Sequence, residues 1–597
     1  MSGTSRRLGV ATITLALTFA LASVGAVQAT AATKAKKPIV LTVGVKQDID
    51  SLNPYTGVSV AAYESWTLTY DSLLNLSSDG LKPVPELSTN VPKAGADGLT
   101  WTYNLRHDVK WSDGTPFTAD DAVYTLTRMK TEEWSNFVTF VSGFTSITAP
   151  DKYTLVIKTN KPDPRMPYIP AYILQKKEWS KVSTKNVGSY ASDHPVGTGP
   201  FRLVQFKKGQ FARFAANKSY FGGAPKIDEI RFRLFTNDEA LVGALKNGEI
   251  DAANDLPAGL FKTLKSNPAM TTVQADDGSF NMLTMNTGSG SIGNGNPALA
   301  DKRVRVAIAH AIDKQVLVDK VLKGYGTVGQ SMNVSLAPRW NLNPVAHPYT
   351  FDIKLANKIL DNAGYLDTNH DGVREMPGGG KPLKFRYDIR SGSSIEAPDA
   401  QFIKGWMKQI GIETDVTVVS EDQLTPIENA GTFEFSTWAW TPFTDPDAML
   451  SYLTCAQVPK AADDGSYNDA FYCSKAYDAL YQKQRGELDE TKRIAEVHQM
   501  QQIFYDDAPY VVMFRPTTLQ AYNHDRFTGF TPVPNPGGPI MMANDFLNYT
   551  NVKPAGGSSG TGTSTVVLIV IGVVIALGVI GGIIVMMTRR RSADLRE

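Results

Sequence analysis

The sequence predicts a mixed α/β body of more than one domain, followed by a single C-terminal transmembrane helix. Three observations carry this. At 597 residues the chain exceeds what one hydrophobic core serves. Period-two and period-3.6 apolar patterns alternate along most of its length. Near its end, Val566 to Met587 runs without a charged residue.

The first 32 residues read as a secretory signal rather than as fold. Arg6 and Arg7 supply the positive region, Leu8 to Val24 is mostly apolar, and small residues cluster from Gly25 to Ala32. Leu41, Val43 and Val45 then mark a first strand. The densest local signal is Asp97 to Met129. Leu99, Trp101, Tyr103 and Leu105 alternate with polar residues, the period of a half-buried strand, and Val109 and Trp111 extend it. Ser112-Asp113-Gly114-Thr115-Pro116 is a turn. Thr118 sits at a helix N-cap, Asp120 and Asp121 fall in the first turn, and Ala122, Val123, Leu126 and Met129 recur at helical spacing.

This Asp-Gly-Thr-Pro-Phe-Thr-Ala-acid-Asp run resembles the signature of the extracellular solute-binding proteins of family five, the peptide-type receptors of ABC importers. The resemblance continues in order through Ser51-Leu52-Asn53-Pro54, Pro195 to Phe201, Asn217 to Asp228, Ala244 to Asp251, the capped helix from Asp301, the helices 356–365 and 401–412, and the strand Glu413 to Val419. It implies a two-lobed periplasmic-binding-protein-like fold of type II with an extra subdomain. Lobe I takes 40–283 and 519–550, with the subdomain inserted at 59–193, and lobe II takes 284–518. The lobes join near Met282-Asn286 and Phe514-Leu519, where a hinge closes on ligand.

Past the body, 551–565 is a Gly/Ser-rich linker with a reach of roughly 15–20 Å. Residues 566–588 form the membrane helix: about 22 uncharged residues at about 1.5 Å each span a bilayer core. Arg589, Arg590 and Arg591 place the tail, 589–597, on the cytoplasmic side, and the body on the outer face of the cell membrane. Cys455 and Cys473 are then in an oxidising compartment, where a disulfide is expected; two buried free thiols are the alternative.

The resemblance also locates a ligand site. Tyr55, Thr56, Gly57 and Val58 form one wall. Trp438, Trp440, Thr441, Phe443 and Asp445 form the other. In peptide-binding members an acid three places after a Trp holds the peptide amine; here that place is Phe443, and Asp445 is the next acid. Helix capping is its other role. The arginine that pairs with a peptide carboxylate has no clear counterpart, which leaves an oligosaccharide or another small solute as rivals to a peptide. Trp438 and Trp440 share a strand face and one fate.

Other signals imply less. Net charge is +1, from 60 Lys and Arg against 59 Asp and Glu, so nucleic acid is not an expected partner. Gly288 to Gly293 fits a dinucleotide pattern, but no helix pattern follows it. Asp367, Asn369 and Asp371 look like the first half of a calcium loop. The twelfth position is Gly378 rather than Glu, so the stretch reads as an Asx-rich turn, with a structural calcium helped by Glu375 as its rival. No catalytic motif, resident metal or cofactor is expected. The expectation is a tethered receptor that captures peptides and delivers them to permease subunits with a cytoplasmic ATPase. A surface-anchored hydrolase is the alternative of another class.

Overall fold

Backbone pairing sorts most strands into two large sheets. The structure, a computed structural model, describes residues 37–556 apart from 58, 133–136, 290, 291, 294, 392, 394, 462–466 and 542–548. The expected signal segment, most of the expected linker, the expected membrane helix and tail, and Val58 lie outside the described residues. Among the described residues no helix is long and apolar enough to cross a membrane.

The first sheet has seven strands, in the order Met270–Ala275, Thr518–Asn523, Ala252–Ala253, Val40–Val45, Glu229–Leu234, Phe211–Ala216, Phe201–Lys207. Val40–Val45 is parallel to both its neighbours. The second has six, in the order Gly326–Val328, Tyr510–Pro516, Phe280–Met285, Phe435–Trp440, Lys384–Arg390, Glu413–Val419. The chain passes from the first sheet to the second across residues 276–279 and returns at Thr517. The first crossing therefore precedes the expected Met282-Asn286. The reason is burial: Phe280–Met285 is buried at every position, as a strand inside a sheet must be.

That strand shows how the second sheet is sandwiched. Side chains alternate between faces. Leu283 and Met285 join one apolar layer with the helices Lys302–Ala311, Ile353–Asn362 and Glu396–Gln409. Phe280 and Met282 join the other, with Tyr477, Val497, Met500 and Phe504 of the helices Lys475–Gln484 and Glu490–Asp507. At about 25 cal/mol per Å² of apolar surface, these layers are the main source of stability on this side of the molecule.

The signature segment builds a three-stranded sheet of Thr100–Asn104, Thr154–Thr159 and Phe144–Asp151, followed by the helix Ala119–Glu132. Asp121 at the third helical position accepts the backbone N–H of Thr118 at 3.0 Å, which satisfies a donor at the helix start. Val109 and Trp111 do not continue the strand. They lead into a turn closed by Trp111 N–H donating to the Thr115 carbonyl at 2.8 Å, where Asp113 also accepts the Thr115 N–H and hydroxyl. Ser112 N–H donates to the Gly197 carbonyl at 2.8 Å, joining the signature to the Gly-Thr-Gly-Pro turn. Close approach explains those glycines. A Cβ on Gly197 would lie 1.8 Å from the Thr69 carbonyl oxygen, and one on Gly199 would lie 2.6 Å from that of Leu68. Cys455 and Cys473 are joined by a disulfide.

Candidate functional site

A cavity of about 760 Å³ opens at the crossing between the two sheets. This is within the usual range for small-molecule sites. The parallel strands Val40–Val45 and Ala252–Ala253 both end at it and deliver Lys46, Gln47, Asn254 and Asp255. The outward crossing supplies Asp276, Asp277 and Gly278, and the return supplies Arg515 and Thr518. The second sheet contributes Thr441, one residue past Phe435–Trp440. Ligands of open α/β sheets characteristically bind beyond the carboxyl ends of parallel strands. A Pro-rich loop, Val533 to Pro539, borders the cavity. It is held at two points: Asp276 N–H donates to the Gly537 carbonyl at 2.9 Å, and Asn535 N–H to the Ser78 carbonyl at 2.6 Å.

The charges here are incompletely matched. Asp277 is engaged with Ser279 and with the Thr518 hydroxyl. Lys46 faces Asp238 at 2.6 Å, so its charge is already shared. Asp255 has a left-handed backbone, φ +50°, and its carboxylate accepts no hydrogen bond among the described residues. It is open to the cavity yet walled by protein. Burial, then repulsion from Asp277, raises its pKa, and Lys46 opposes the shift. Arg515 donates Nη2 to the Ser331 carbonyl at 3.1 Å, while its buried Nε has no hydrogen-bond partner. Burial holds its pKa below the usual arginine value, with Asp276 opposing. The arrangement suits a ligand that presents a cation to Asp255 and an acceptor to Arg515. Nothing in it pairs a nucleophile with a base.

The residues expected from sequence are spread over several places. Thr441 borders the cavity. Trp438 and Trp440 do share a face, 6.3 Å apart, but they pack on the layer containing Phe280 and Met282. Arg390 lies 4.7 Å from the Trp438 ring, and Trp440 lies 5.4 Å from Tyr452. Phe443 and Asp445 border a separate small void of about 40 Å³. Asp445 is a correction to the expected amine site: it is 2% exposed, and both its oxygens accept the Arg493 guanidinium at 2.7 and 2.9 Å. Its Oδ1 also accepts Asp447 N–H at 2.9 Å, which tightens the entry to the helix Asp447–Tyr452.

Tyr55 is a second correction. It is 1% exposed and stacks at a tilt on Trp179, 5.4 Å away, so it is core rather than wall. The Thr56 hydroxyl pairs with that of Ser51 at 3.1 Å, and a Cβ on Gly57 would meet the Trp66 ring at 2.5 Å. Sequence reading missed Asp255, Asp276, Asp277 and Arg515. The Asp-Asp-Gly turn between two strand patterns was the one signal that marked the crossing.

Residues 82–460, more than half of the chain, match the description "Bacterial extracellular solute-binding proteins, family 5 Middle". The chain belongs to this family. It is a transport receptor and not an enzyme. The oligopeptide-binding protein AppA of Bacillus subtilis is 25% identical over 439 residues, covering 71% of this chain and 77% of AppA. Solved structures agree in fold. That of NikZ from Campylobacter jejuni with Ni(L-His) has a TM-score of 0.72 at 22% identity, covering 86% of this chain and 99% of NikZ. That of AppA with a nonapeptide has a TM-score of 0.69 at 23% identity, covering 87% and 100%. The two-lobed α/β architecture is that of these neighbours.

Proposed function

We propose that this receptor captures peptides outside the cell and passes them to an ABC permease driven by a cytoplasmic ATPase. The observation that carries the reading is the cavity itself: a chamber between two sheets with an exposed carboxylate, Asp255, that accepts no hydrogen bond among the described residues, and an arginine, Arg515, whose buried Nε has no partner there. A peptide supplies a cation, an acceptor and backbone groups on one chain. AppA, similar along most of its length, is named for oligopeptides. Among the described residues no histidine lines the cavity, which favours a peptide over a metal–histidine chelate of the kind NikZ holds. Asp255, Asp277, Arg515 and Thr441 are the proposed ligand contacts. Trp438, Trp440 and Phe443 support the wall from behind, and Tyr55, Thr56 and Gly57 support the subdomain side.

Residues 1–32 direct export in this proposal, and 566–588 anchor the receptor with its body outside. The lobe bounds expected from sequence, 40–283 with 519–550 and 284–518, shift in this proposal to the 276–279 crossing and the return at Thr517; closure about these links seals the ligand. Native mass spectrometry of freshly purified protein tests the reading. Peptides in the fraction released on denaturation support it. An oligosaccharide or a metal chelate there replaces the peptide assignment.

A further inference from the structure

The loop that follows the helix Ile353–Asn362 brings three carboxylates together. One oxygen each from Asp367, Asp371 and Glu375 lies within 4.8 Å of the others. None of the three is in an ion pair among the described residues. Their neighbour Arg374 is turned elsewhere, to Asp361 and to the Ile410 carbonyl.

The cluster gains its meaning from Glu375. That residue is 6% exposed, and its Oε1 is buried with no hydrogen-bond partner. Its Oε2 accepts the N–H and hydroxyl of Thr368 at 2.9 and 3.0 Å, which fixes the side chain across the start of the loop. A buried carboxylate oxygen without a partner is costly. Two further carboxylates beside it raise that cost, unless a cation is shared between all three.

We infer that this loop is a calcium site. Asp367, Asn369 and Asp371 occupy positions one, three and five of a calcium loop, and the Val373 carbonyl falls at seven. Gly372, at six, has φ +90°, the sharp turn that position requires. Asp371 and Gly372 N–H groups donate to Asp367 at 3.1 and 2.9 Å, so the loop is already wrapped around its first ligand. The absent twelfth-position Glu is replaced by Glu375 at position nine, reaching in from the buried side. All donors are oxygens, which selects a hard cation. Mg²⁺ demands a tighter octahedral shell than so open a loop provides, whereas Ca²⁺ accepts irregular shells completed by water. The site lies apart from the cavity, and its role is to lock this loop in the calcium-rich space outside the cell.

Calorimetric titration of calcium chloride into the EDTA-treated full-length protein tests the assignment. One calcium per chain is expected, with a dissociation constant of roughly 10⁻⁴–10⁻³ M, the range of extracellular modules, and magnesium should give no comparable heat. Asp371→Asn, at an exposed position, and Glu375→Gln should each weaken binding by about tenfold or more. If Glu375→Gln fails to fold, Asp371→Asn alone decides. No calcium heat, or the same affinity in Asp371→Asn, overturns the site.

Discussion

Two groups of charges, one around Asp445 and one in the cavity, are handled in opposite ways. Away from the cavity, Asp445 is bidentate to Arg493, whose Nε donates to Gln484 at 3.0 Å. Gln484 donates in turn to Asp447 at 3.1 Å, and Arg165 reaches both Asp447 at 3.0 Å and Asp163 at 2.7 Å. Both carboxylate oxygens of Asp445 and of Asp447 have partners. In the cavity, among the described residues, the exposed Asp255 carboxylate and the buried Arg515 Nε have none. The charges of this network are matched inside the protein. On the function proposed above, the charges in the cavity are left for the ligand to match.

The largest expected effect breaks the matched group. Asp445→Ala leaves Arg493 charged, buried and unpaired, and should cost about 3–5 kcal/mol in chemical denaturation. A loss below about 1 kcal/mol would show that the network is hydrated in solution. Opening the Cys455–Cys473 bridge, which spans 18 positions, should cost about 3 kcal/mol in the loop-entropy picture. Denaturation of the Cys473→Ser variant measures it.

Another buried carboxyl extends the comparison. Asp399, within the helix Glu396–Gln409, is fully buried, and neither of its oxygens has a hydrogen bond among the described residues. Burial, then the neighbouring Glu396, pushes its pKa from 3.8 up to about 8. Between those values the folded state binds one more proton than the unfolded chain, so this group's contribution to stability falls as pH rises from about 4 to about 8. Asp399→Asn should flatten the decline, seen as a smaller drop in melting temperature across that window. An unchanged slope would assign the decline to other groups.

Much of the architecture was legible because it is local. The alternation at Leu99 to Leu105, the turn at Asp113 to Pro116 and the acid-capped start of Ala119–Glu132 each follow from neighbouring residues. The site was less legible because it depends on distant partners. Asp445 reads as a free acid until Arg493, 48 positions later, folds onto it. Asp255 reads as an ordinary loop acid until the return strand brings Arg515 to the same cavity. Gly197 and Gly199 stand in a turn whose demand for glycine comes from the helix Val60–Thr69 passing beside them.

The central claim is that the unmatched charges mark the ligand site. The most direct measurement is the affinity of the peptide recovered from the purified receptor, compared between wild type and Asp255→Asn. Asn tolerates the left-handed backbone there, so the melting temperature should not move. Affinity should fall by about tenfold or more, the loss of one charge-assisted hydrogen bond. Equal affinity in the two proteins would place the ligand away from Asp255 and contradict the account.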